Sequence, residues 1–173
     1  MSSSSAGSIP IIPRAAVSVC VRCLLPDDQA PGYYLLVQRG NEPSKGMWSL
    51  PGGKIKFGED TVEGGARELK EETQWTDVAA WESLRWYEGT VCTTDAIGEN
   101  YHYMIAHCYA ETQSDSLPSI MAADDAADAE WFTMAEIQTK CDESQATPGV
   151  MTVLHRIEDL SKYGLLPLTA KNP

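Results

Sequence analysis

The sequence predicts an α/β fold, a mixed sheet with helices packed on it. Three observations predict it. The apolar pattern reads β-β-helix-β-β-α-α along the chain, with strand-like alternation giving way to helical spacing over 60–73 and again near the end. The 173 residues suit one domain that buries its own core. Apolar residues are 43% and charged residues 22%, a globular balance.

Each element has a local reason. Residues 15–25 and 33–39 (YYLLVQR) are rich in β-formers and read as two strands. The 27–32 segment between them, with Pro26 and Pro31, is their loop, and 41–46 (NEPSKG) is a second loop. A short strand over 47–50 runs into Pro51-Gly52-Gly53. Asp60 caps a helix over 60–73, with Glu63 three residues on. Residues 83–93 and 101–110 form a β-pair around a polar loop, 94–100. The acidic, Ala-rich 114–130 stretch reads as loop, and Trp131-Phe132 as a short strand. Helices follow over 134–139 and 148–163, the second with Val150, Val153, Leu154, Ile157 and Leu160 on one stripe. No internal repeat is present. The organisation is a disordered tail over 1–13, one domain over 14–165 and a C-terminal tail over 166–173.

Charge and cysteine usage exclude several classes. The net charge of −12 repels phosphate backbones, so broad nucleic-acid binding is not expected, and anionic membrane surfaces are disfavoured. No apolar run approaches the roughly 20 residues that span a bilayer. The acidity is uneven: 111–143 holds nine acids against Lys140. Five cysteines leave an odd one, which points to a reducing compartment. Cys20 and Cys23 sit in a strand-like run that turns the two thiols to opposite faces. The Ser-rich start, MSSSSAGSIPIIPR, has no secretory pattern; the expectation is a cytoplasmic protein, with a faint transit-peptide character to the tail.

The 60–73 helix carries the chemistry. At 100° per residue Val62, Ala66, Leu69 and Thr73 share an arc of about 60°, the face a helix buries. Glu68, Glu71 and Glu72 share another arc, and Glu59 lies just upstream. Carboxylates at such spacing repel by tenths of a kcal/mol per pair. Gly64 and Gly65 cost the helix roughly another 1 kcal/mol each. A hard divalent cation resolves the repulsion, because magnesium takes a few carboxylates together with substrate phosphates. The glycines allow close approach of another element or a substrate. Arg67 lies beside the acid arc and can grip a carboxylate in a fork. The same pattern also suits a solvated acidic face.

The spacing decides between these. Gly53, five residues, Glu59, seven residues, Arg67-Glu68-Leu69, one residue and Glu71-Glu72 resembles the Nudix box, G-x5-E-x7-R-E-U-x-E-E-x-G-U. The lead-in Trp48-Ser49-Leu50-Pro51-Gly52-Gly53, the Gln38-Arg39 pair, and Asp124-Asp125 ahead of Trp131-Phe132 resemble the same family, so the likeness covers about 15–140. The one departure is Gln74 where the box has its final glycine, with Trp75 at the last apolar position. A non-glycine residue in the left-handed turn there costs about 1 kcal/mol.

The resemblance implies a Nudix α/β/α sandwich, a mixed sheet between helices. It implies hydrolysis of a nucleoside diphosphate linked to another moiety, by water attack on phosphorus. Glu68 and Glu72 are implied as Mg²⁺ ligands (Mn²⁺ being an acceptable substitute), Glu71 as a further ligand or the base, and the Gly52 carbonyl as another donor. Arg67 would orient the glutamates and Glu59 would be a secondary ligand or support, with Asp124 or Asp125 supplying an acid from the late loop. Substrate choice lies outside the box. Arg39 is a candidate phosphate contact or ion-pair partner, Asp125 a substrate contact, and Tyr34 a base platform, with Tyr33, Trp86, Tyr87, Tyr101 and Tyr103 as further aromatics of the same kind. The expected partner is a small nucleotide, an ADP-ribose-like compound favoured and an oxidised nucleoside triphosphate the alternative. A homodimer is compatible with the resemblance. A competing reading is a Nudix-fold module that senses a nucleotide without cleaving it; the full set of box carboxylates favours the enzyme.

Overall fold

The computed structural model describes residues 12–26, 32–87 and 89–166. The predicted tails over 1–13 and 166–173 therefore lie outside the described residues apart from 12–13 and 166, as does the 27–32 loop apart from Gly32.

The centre of the fold is β1 (Arg14–Leu24), whose alternation feeds two cores. Val17, Val19 and Val21 point to one side of the sheet and Cys20 to the other. On its flanks β1 pairs antiparallel with β2 (Tyr33–Arg39) and with β4 (Gly52–Lys54), and parallel with β7 (Tyr101–Gln113) over eleven registered positions. The short β3 (Trp48–Ser49) adds to β2, β5 (Arg85–Trp86) and β6 (Cys92–Gly98) add to β7, and β8 (Ala126–Thr133) pairs along β2. One mixed sheet results among the described residues.

Helices cover both faces. On one, α1 (Thr61–Thr73) buries Val62, Ala66 and Leu69 against Val17, Val19, Val21 and Leu35, with Trp75, Trp86 and Cys108 completing the layer. Each fully buried aliphatic contributes about 1.5–3 kcal/mol. On the other, α3 (Met134–Asp142) and α4 (Val150–Lys162) place Ile137, Val150, Val153, Leu154 and Ile157 against Cys20, Tyr34, Leu36, Tyr109 and Phe132. This is the α/β/α sandwich that the resemblance implies. The five cysteines are free thiols, and Cys20 and Cys23 are both buried. No described helix is long and apolar enough to cross a membrane.

Three elements differ from the sequence expectation. The 83–93 segment is not one strand. It opens on Ser83, the C-cap of α2 (Val78–Glu82, with Asp77 as N-cap), then holds β5, a connection and the start of β6. The polar 94–100 stretch is largely β6, because β6 pairs only with β7 and turns alternate side chains to solvent. The 114–130 stretch is only partly loop: β8 begins at Ala126, held by antiparallel pairing with β2 that no local pattern announces. In addition, α3 runs on to Asp142, started by a Thr133–Glu136 capping box.

Two local features set stability. The αL position at the end of α1 is occupied by Gln74, at φ 35° and ψ 51°, whose N–H donates to the Lys70 carbonyl. Gln74→Gly removes the Cβ conflict and should add about 1 kcal/mol, raising Tm by about 2–4 °C in a thermal melt. His107 is buried between Ser18 Oγ, 2.6 Å from Nδ1, and Thr94 Oγ1, 2.7 Å from Nε2. Burial pushes its pKa down to about 4 from 6.5. The unfolded chain takes a proton near 6.5 while the folded one stays neutral, so this contribution is complete above pH 6.5 and is lost as pH falls towards 4. The loss should approach ~3 kcal/mol in urea unfolding across that window, and His107→Gln should remove it.

Candidate active site

Two glycines bring the strand layer and α1 together. A Cβ on Gly52 would stand 2.3 Å from the Val17 carbonyl oxygen, and one on Gly53 would stand 2.5 Å from Glu68 Oε1. Only bare backbone lets β4 lie this close to β1 on one side and to the Glu68 carboxylate on the other. Within α1, a Cβ on Gly65 would be 2.8 Å from Val19 Cγ2, so Gly65 lets the helix settle onto β1. These approaches fix the helix's acidic face beside β4.

Arg67 organises that face. Its Nε and Nη2 donate to the two oxygens of Glu59, Nη2 also to the Lys54 carbonyl at 3.0 Å, and Nη1 to Glu68 Oε1 at 2.7 Å and Glu71 Oε2 at 2.9 Å. One guanidinium thus ties three carboxylates to β4. The Arg67 bond, helped by the Lys56 backbone N–H, holds Glu59 down to about 2. The bonds to Glu59, Glu68 and Glu71 push Arg67 further up. Lys56 Nζ stands 3.4 Å from Glu71 Oε1.

Glu72 is set apart. It is buried, and its Oε2 accepts from the Gly52 N–H at 2.9 Å. Burial pushes its pKa up to about 7, with Glu68 and Asp125 adding to the rise and the Gly52 N–H and Arg39 opposing it.

The segment after β7 closes the site. Met121 N–H donates to the Thr73 carbonyl and Ala123 N–H to the Glu72 carbonyl, satisfying the open end of α1. This leads into Asp124, in a left-handed conformation, and Asp125, whose Oδ1 accepts from Asn41 Nδ2 at 2.7 Å and whose carbonyl accepts from Gly40 N–H. Arg39, at the end of β2, donates from Nε to the Pro43 carbonyl at 2.8 Å. Gly52, Glu59, Arg67, Glu68, Glu71 and Glu72 therefore share one locality, with Arg39 and Asp125 at its border.

Tyr34 is a correction. It is fully buried in the core beneath α4, with its hydroxyl 3.4 Å from Glu158 Oε1, so its ring has no face to offer a base. Trp86 is buried in the α1 core, and Tyr87 stacks on Tyr109 at 4.9 Å. The sequence reading missed Lys56 and Asn41. Lys56 had a signal, its place between Gly53 and Glu59, whereas Asn41 had only its position after Arg39.

A divalent cation fits the donor set. Glu68, Glu71 and Glu72 are hard oxygen donors, Glu72 is buried with its charge poorly compensated, and Gly53, having no Cβ, lets the Glu68 carboxylate lie against the backbone beside them. Among the described residues no three acidic, histidine or cysteine side chains stand as a preassembled metal cluster, and Glu68 and Glu71 are ion-paired with Arg67. Glu72→Gln removes a buried charge and keeps an acceptor for the Gly52 N–H. The neutral form is the one the site favours below about 7, so at pH 8 the variant should gain ~1–2 kcal/mol in denaturant unfolding.

Comparisons with known proteins bear on the family and the fold. The family model for the NUDIX domain matches residues 14–151. An ADP-ribose pyrophosphatase of Methanocaldococcus jannaschii is 51% identical over 39 residues, 22% of this chain and 23% of that protein. A bifunctional NMN adenylyltransferase/ADP ribose pyrophosphatase of Francisella tularensis, solved with AMP and a manganese ion, superposes at a TM-score of 0.63 and 24% identity. The match covers 90% of this chain and 43% of that one, so the chain spans less than half the length of either relative. A C. elegans Ap4A hydrolase superposes at 0.66 and 17% identity, covering 87% of this chain and 98% of that one.

Proposed function

The chain belongs to the NUDIX domain family, and from that premise we propose that it is a divalent-metal-dependent pyrophosphohydrolase of a small nucleoside diphosphate derivative, ADP-ribose or a close analogue. The observation that carries this reading is the set of carboxylates gathered by Arg67 against Gly52-Gly53, with Glu72 buried beside them. The ADP-ribose choice is supported by the M. jannaschii relative.

Glu68, Glu71, Glu72 and the Gly52 carbonyl would hold the cation, magnesium or manganese. When bound, the cation neutralises the diphosphate oxygens and makes its coordinated water easier to deprotonate. Arg67 holds Glu68 and Glu71 in orientation and, by its grip on Glu59, keeps the approach to α1 fixed. Glu71, at 41% side-chain exposure more open than Glu59, Glu68 or Glu72, is the group best exposed to accept a proton from attacking water. Arg39 meets the negative charge of the diphosphate from the β2 side. Asp125, held by Asn41, borders the substrate and orients it.

The test is a panel of ADP-ribose, nucleotide sugars, dinucleoside polyphosphates and oxidised deoxynucleoside triphosphates, read by phosphate release with Mg²⁺. ADP-ribose should show the highest kcat/KM. EDTA should abolish turnover and Mg²⁺ restore it. Glu72→Gln, folded and stable as above, should lose roughly 100-fold or more. No turnover on any compound, or full activity of Glu72→Gln, would overturn the reading; nucleotide binding without turnover would favour a sensing module.

A further inference from the structure

Phe57 is fully exposed, although it lies in the segment that delivers Glu59 to the site. The turn that displays it is well held. Glu59 N–H donates to the Lys56 carbonyl at 3.2 Å, Lys56 N–H donates to Glu59 Oε2 at 2.8 Å, and Gly58 takes φ 91°, which glycine adopts readily. Two residues earlier Ile55 packs against the α1 core, so the same short segment buries one apolar side chain and presents the other to water.

The surroundings of the ring are specific. Lys56 reaches the Glu71 carboxylate, and the Lys54 carbonyl is bonded to Arg67, so Phe57 stands next to one residue and three from another that touch the carboxylate set. The sequence Lys54-Ile55-Lys56-Phe57 carries two exposed lysines and no acid in a chain of net charge −12. Cationic side chains beside an open aromatic ring suit a ligand that is both anionic and aromatic. Among the described residues only Phe57 and Tyr163 are exposed aromatics, and Tyr163 ends α4 on the far face of the sheet, under the Lys162 ammonium. Tyr34 and Trp86 are buried and Tyr87 is already stacked.

We propose that Phe57 is a stacking platform for the aromatic base of the bound nucleotide, with Lys54 and Lys56 drawing in its phosphates. The proposal rests on the preceding reading only for the ligand being a nucleotide. It makes Phe57 a specificity-determining residue, separating base-bearing phosphates from base-free ones.

The test compares AMP with ribose 5-phosphate, which differ by the base, in calorimetric titrations of the full chain with Mg²⁺ present. Phe57 is fully exposed, so Phe57→Ala should keep the wild-type Tm. It should bind AMP about 5- to 20-fold more weakly and ribose 5-phosphate unchanged, while Phe57→Trp should retain AMP affinity. Unchanged AMP affinity in Phe57→Ala, equal weakening of both compounds, or no AMP binding by the wild type would overturn the proposal. Conversion of a dimer to a monomer by Phe57→Ala in sedimentation, with AMP affinity intact, would overturn it in favour of a contact between copies. AMP binding through Phe57 in a chain that cleaves no diphosphate would refute the hydrolase reading alone.

Discussion

The site depends on one guanidinium. Glu59, Glu68 and Glu71 would repel one another if left to themselves, and the neighbouring Glu72 is buried, where a bare charge is costly. Arg67 offsets this with a planar fork that bonds all three outer carboxylates and the Lys54 carbonyl at once. A lysine presents a single point charge and cannot reproduce that geometry. The guanidinium is itself largely shielded, at 18% side-chain exposure, so its bonds are less screened than those of a surface pair. Neutralisation by Arg67 keeps the carboxylates together in the free protein, and under the proposed reading a bound cation would take over that task.

The scaffold serves this interaction through β1. The strand lies at the middle of the sheet, packs α1 through Val17 and Val19, and accepts β4 along Ala16–Ser18. Because Gly52, Gly53 and Gly65 have no Cβ, β1, β4 and α1 come within contact distance, and helix stability is given up at Gly65 for that approach. The opposite core, under α3 and α4, holds β2 and β8 in register, and those strands deliver Arg39 and Asp125 to the border of the site.

Much of this was legible in the sequence where the reasons are local. The α1 boundaries, its buried stripe and the shared face of its glutamates follow from helical spacing and the Asp60 cap. The left-handed turn at Gln74 followed from the box geometry, although the residue itself disfavours it. What escaped is set by tertiary contact. YYLLVQR is buried on both faces, so alternation could not say that Tyr34 points into the α4 core. The strand character of 126–130 exists because β2 pairs with it. The polar β6 needed its pairing with β7 to be recognised, and Asn41 became visible only once β2 and the 124–125 turn were brought side by side.

The central claim is that the carboxylates gathered by Arg67 form a divalent-cation site against Gly52. Anomalous diffraction from crystals of the full chain grown with Mn²⁺ tests it most directly. The account predicts a manganese peak among Glu68, Glu71, Glu72 and the Gly52 carbonyl, with Glu68 and Glu71 turned away from Arg67. No peak there at saturating Mn²⁺, or a peak confined to the acidic 111–143 stretch, would contradict it.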